Sequence, residues 1–88
     1  MRLPNPNDPG GDKEGSQPRE IVLRVLRENG VTIEPLEFTP FYLLSQDDII
    51  EAHPLDHRVG GLLIRQLARQ FAIPLVEFYY DPLTGQRR

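Results

Sequence analysis

Apolar side chains recur at helical spacing near the start of the chain. In "SQPREIVLRVLRENG", Ile21, Val22, Val25 and Leu26 fall on one face, and Arg19, Glu20, Arg24, Arg27 and Glu28 occupy the other. Pro18 suits a first helical turn, and Gly30 is placed to end the helix in a left-handed conformation. The period then changes. In "VTIEPLEF", Val31 and Ile33 alternate with polar residues, and Leu36 and Phe38 continue on the opposite parity. The switch falls at Pro35, which cannot donate to a sheet ladder, so the pattern predicts one kinked strand at an edge or bulge. "TPFYLL" extends it as a short second strand without a clear period.

Ser45 opens "SQDDIIEAH", where acids in a first turn and Pro54 after the last residue read as a short helix. A longer helix follows from about Asp56, "DHRVGGLLIRQLARQFA", with Val59, Leu63, Ile64, Leu67, Ala68 and Phe71 on a broad apolar arc. Gly60 and Gly61 would each weaken it by about 1 kcal/mol relative to alanine, so the alternative is a helix that begins after them. "IPLVEFYY" has the branched and aromatic content of a strand, with Val76, Phe78 and Tyr80 sharing one face, and "DPLTG" is a turn. Residues 1–17, "MRLPNPNDPGGDKEGSQ", contain Leu3 as the one sizeable apolar side chain after the initiator, too little burial to offset the entropy of ordering. The expectation is a disordered arm over 1–17 and one α+β domain over 18–88. Its order is helix, strand, short strand, short helix, long helix, strand, in two layers, with the first and last strands pairing in parallel across the helices.

Composition narrows the chemistry. The 88 residues contain no cysteine and no tryptophan, which excludes disulfides, thiolate catalysis and cysteine-based zinc sites. A chain this short removes only about 60 to 65% of its unfolded surface from water and builds one core. No apolar run approaches the roughly 18 residues of a membrane span, and the N-terminus lacks the apolar centre of a secretory signal. The expected protein is soluble and untargeted, with the cytoplasm as its default compartment and no membrane partner.

The densest polar stretch is "DDIIEAHPLDHRVGG", with four carboxylates and both histidines between Asp47 and His57. An acid/base or metal cluster would draw on Asp48, Glu51, His53, Asp56 and His57. Two histidines four apart chelate well on one continuous helix, but Pro54 intervenes. Helix punctuation is the competing account. Asp47 and Asp48 sit at one helix start, His53 at that helix's end, Asp56 at the next start and His57 in its first turn, positions that the dipole rewards for all but His57. Ser45 lacks a nucleophile-elbow setting, Lys13 lies in the arm, and no glycine-rich loop follows a strand. No catalytic residue, cofactor or metal is therefore expected.

Charge placement supplies the remaining signal. The net charge is −3, which disfavours a broad phosphate-binding surface. Between Arg27 and Arg58 every charged residue is acidic, whereas Arg58, Arg65 and Arg69 lie along one stripe of the long helix, with Leu62 beside it. In "IRQLARQFAIPL", Leu67, Ala68, Phe71, Ile73 and Pro74 resemble the first helix of the helix-turn-helix regulators, "LAxxFGIP". That resemblance implies a base-reading helix over "LVEFYYDP", a segment without base-reading polar side chains, and Ala72 stands where those regulators carry a turn glycine. The leading expectation is a small non-catalytic interaction or adaptor module of bacterial type. It would meet another protein or a second copy of itself through an open strand edge or a surface comprising Arg58, Leu62, Arg65, Arg69 and Tyr79. The alternative is a nucleic-acid-associated protein, either a helix-turn-helix-like regulator or a small toxin-like nuclease.

Overall fold

A computed structural model describes residues 15–88. The first helix forms where the 3.6-residue pattern places it. α1 spans Arg19–Glu28 and buries Val22, Val25 and Leu26 completely. Just ahead of it, the two-residue strand β1, Gln17–Pro18, pairs antiparallel with β5, Arg58–Val59. Gly15 to Gln17, which the sequence assigns to the arm, are held in place. The Gln17 amide reaches the Phe78 carbonyl at 2.6 Å and Ser16 Oγ accepts from Arg58 Nε at 2.8 Å. The rest of the arm, 1–14, lies outside the described residues.

Three strands follow as an antiparallel meander, in the order β2 (Thr32–Pro35), β3 (Phe41–Gln46) and β4 (Ile49–Pro54). The short helix expected over Ser45–His53 does not form. Gln46 pairs with Ile49 across the two-residue turn Asp47–Asp48, with Asp47 in the left-handed region at φ 53°. The acids that resemble a helix start are turn residues, and β-branched Ile49 and Ile50 begin a strand whose six registered pairs satisfy the backbone. The parallel pairing of first and last strands is likewise replaced by antiparallel neighbours.

α2 spans Gly61–Gln70, with Gly60 as an extended N-cap at φ −69° and ψ 156°, so the helix starts between the two glycines and Asp56 does not cap it. Its inner face contributes Ile64, Leu67 and Ala68 to the core. The strand expected from Ile73 to Tyr80 is instead a single 3-10 turn, η1, over Leu75–Phe78. Pro74 offers no N–H for a ladder, and Phe78 gains more by full burial against both helices than an unpartnered strand would. A bridge between Tyr80 and Arg87 closes the last turn.

The chain is thus α+β, with two helices and five strands in two antiparallel sheets among the described residues. Register decides which sheet face meets the helices. Ile33, Leu44 and Glu51 form one inward row, and Pro35, Tyr42 and His53 another. Leu44 is fully buried, and Ile33 and Tyr42 pack against the core.

Candidate interaction surface

The opposite face of the meander follows from the same register. Thr32, Ser45 and Ile50 make one outward row, Glu34, Leu43 and Ala52 the next, and Phe41 faces Pro54 at the end. Five of these eight side chains are apolar, and Ile50 is 65% exposed. An antiparallel sheet with one solvated face ordinarily alternates apolar-in and polar-out. Here β3 is apolar on both sides from Phe41 to Leu44 and β4 carries Ile50 and Ala52 outward, which is why "FYLL" shows no period in the sequence.

The turn joining β2 to β3 adds a second anomaly. Phe38 is wholly exposed and holds φ 63°, a left-handed conformation in which bulky side chains are rare. Thr39 braces the turn, its hydroxyl donating to the Leu36 carbonyl at 2.8 Å. A large apolar side chain is therefore carried into water on a backbone conformation that glycine would adopt at less cost.

Edges matter as much as faces. The Leu36 N–H donates to the Phe41 carbonyl at 3.0 Å, so Phe41, Leu43 and Ser45 direct their peptide groups toward β2. Tyr42, Leu44 and Gln46 then direct theirs toward His53, Glu51 and Ile49 of β4. The N–H and C=O groups of Ile50 and Ala52 are left pointing away from the sheet. The β2 edge is blunted by comparison. Val31 N–H already donates to the Leu26 carbonyl at 3.0 Å, and Pro35 has no N–H, leaving Ile33 as the one available donor along it.

The residues singled out in the sequence are distributed differently. Arg65, Arg69 and Leu62 share a stripe of α2, Leu62 being 56% exposed, but Arg58 lies in β5 ahead of the helix and binds Ser16. Arg65 and Arg69 rim a shallow depression of about 330 Å³ floored by Ala68, Ile73 and Leu75. The hydroxyl of Tyr79 donates to the Gly15 carbonyl, tying η1 to the chain ahead of β1.

The acid and histidine residues separate as well. Asp48 is in the β3–β4 turn and Glu51 is on the inward parity of β4 but exposed. Asp56 and His57 are exposed in the segment between β4 and β5. His53 is buried beneath α2, with Nε2 2.9 Å from Gln70 Oε1. Among the described residues no three such side chains gather where a metal ion could be held.

Sequence reasoning missed Phe38, Phe41, Leu43, Ile50 and Ala52 as a group. The available signal was two apolar runs, "FYLL" and "II", flanking a short polar break, a hairpin pattern. Compared with family models, curated proteins and solved structures, the chain matches none. No helix among the described residues is long and apolar enough to cross a membrane.

Proposed function

We propose that this domain is a protein-interaction module with no catalytic chemistry of its own, receiving an extended protein segment along β4 and across the outward face of its sheet. One observation carries the reading. Among the described residues, Ile50 and Ala52 combine peptide groups that pair with no strand at the sheet edge with apolar side chains on the outward face, so a single added strand would satisfy both. Phe38 supports it, because an exposed aromatic held at unfavourable φ is an anchor in search of a pocket.

The nucleic-acid reading has less behind it. Arg58 is engaged with Ser16, so the three-arginine stripe is reduced to Arg65 and Arg69, and the net charge is −3. A helix-turn-helix would need its second helix where η1 makes a single turn with Phe78 fully buried.

The test is site-specific photo-crosslinking in the source cell. A photoreactive residue at Ile50 is expected to give discrete protein adducts that Ala52→Pro abolishes. The same residue at Arg24, exposed on α1, should give none. Equal labelling at both positions, or none at either, would remove the proposal.

A further inference from the structure

The partner that β4 fits is named by β4 itself, an inference that rests on the interaction reading above. We infer that two copies of this chain pair β4 to β4, antiparallel, about a two-fold axis at Ala52, joining their three-stranded sheets into one continuous sheet.

Only a few registers are open to such a pairing. The outward peptide groups belong to Ile50 and Ala52, with the Pro54 carbonyl on the same parity, so these residues must supply the hydrogen-bonded pairs. Centring the axis on Ile50 would set Ala52 against Asp48 of the second copy, a turn residue outside the strand. Centring it on Glu51 would place two carboxylates directly opposite each other on the inward face, an arrangement that destabilises cross-strand pairs.

Centring it on Ala52 avoids both faults. Ala52 exchanges two N–H···O bonds with its own counterpart. Each Ile50 N–H reaches the Pro54 carbonyl of the second copy, and the missing Pro54 N–H leaves only the Ile50 carbonyl to water. On the inward face Glu51 then stands opposite the second copy's His53, a carboxylate against an imidazole. On the outward face Ile50 stands against Pro54, extending the apolar surface across the axis.

The other edge explains why the assembly would stop at two. Among the described residues the outer edge of this three-stranded sheet, β2, offers one donor, Ile33, beside Pro35, so a dimer joined at β4 ends its continuous sheet on poorly pairing edges. Two-fold closure and a blunted outer edge together favour a closed pair over a fibre.

The chain contains no cysteine, so a single introduced thiol reports the register without background. In an Ala52-centred pair the two Cα atoms of residue 52 lie about 5.5 Å apart, within disulfide range, whereas those of residue 50 are about 14 Å apart. Full-length Ala52→Cys is expected to form a disulfide-linked dimer under mild oxidation, and Ile50→Cys and Glu51→Cys are not. The unmodified chain should sediment as a concentration-dependent dimer, and Ala52→Pro, at an edge position that tolerates proline, should lose the dimer while keeping its circular dichroism. Preferential cross-linking of Glu51→Cys would overturn the register. A strict monomer at millimolar concentration with no Ala52→Cys cross-link would overturn self-pairing altogether. If that monomer still gave cellular adducts to a different protein at Ile50, the interaction reading would stand and only the identity of the partner would fall.

Discussion

Two residues at equivalent places show how side-chain identity and backbone conformation trade against each other. Both helices close with the same pair of hydrogen bonds. After α1, Gly30 N–H donates to Arg27 and Val31 N–H to Leu26, both at 3.0 Å; after α2, Ala72 N–H donates to Arg69 at 3.4 Å and Ile73 N–H to Ala68 at 2.9 Å. Gly30 holds φ 83° and Ala72 φ 54°, so one closure uses glycine and the other bears the cost of a Cβ. Ala72→Gly is therefore expected to raise stability by about 1 kcal/mol, and Gly30→Ala to lower it by a similar amount. At Gly30 the new methyl would lie 3.7 Å from Gln46 Nε2, ordinary contact, so the penalty comes from the backbone alone. Urea titrations with unchanged slopes would check both. Phe38→Gly separates stability from binding in the same way. It should stabilise the fold by about 1 kcal/mol through relief of the left-handed φ, while weakening association through loss of the aromatic anchor. A variant that gains stability and keeps full association would show that Phe38 touches no partner.

Elements depend on which neighbours are available, and the β3–β4 hairpin illustrates this. As an isolated helix, "SQDDIIEAH" would offer Ile49, Ile50 and Ala52 for burial, with no partner for its backbone beyond its own short span. As a strand it pairs along its length with β3 and sends His53 inward to Gln70. Face assignment makes a direct forecast. Leu44→Ala, on the inward row and fully buried, should cost about 2–5 kcal/mol and leave much of so small a domain unfolded. Ile50→Ala, on the outward row, should change the stability of the isolated protomer by no more than about 0.5 kcal/mol. Comparable losses at the two sites would mean that the register is displaced by one residue.

At the scale of the whole molecule, Gln17 and Arg88, far apart in sequence, meet over η1. Gln17 donates to the Phe78 carbonyl, and Arg88 Nε donates to the Glu77 carbonyl at 2.7 Å. Arg88 Nη2 also reaches Glu28 Oε1 at 2.9 Å, and the arginine side chain is only 4% exposed although its carboxylate partner is 45% exposed. The ion pair with an exposed glutamate contributes little, so the carbonyl contact and the packing of the guanidinium carry most of the effect. Arg88→Ala should lower stability by about 1–2 kcal/mol in chemical denaturation, and Arg88→Lys should fail to restore it, because an ammonium cannot serve both partners from one plane. Full recovery with lysine would show that only the charge matters.

Local pattern by itself located the two helices that form and the α+β class, because a 3.6-residue apolar stripe flanked by polar residues has few other ways to bury itself, but it also placed a third helix over Ser45–His53 that does not form. It also determined that no thiol chemistry is available. Whether "IIEAH" or "LVEFYY" became a strand was decided in three dimensions. β3 had an open side for the first, whereas Pro74 lacks an N–H for a ladder and Phe78 is fully buried in the core from a turn. The uncovered apolar face was equally illegible along the chain, since Leu43 and Leu44 look alike until a partner strand fixes which of them points at the helices.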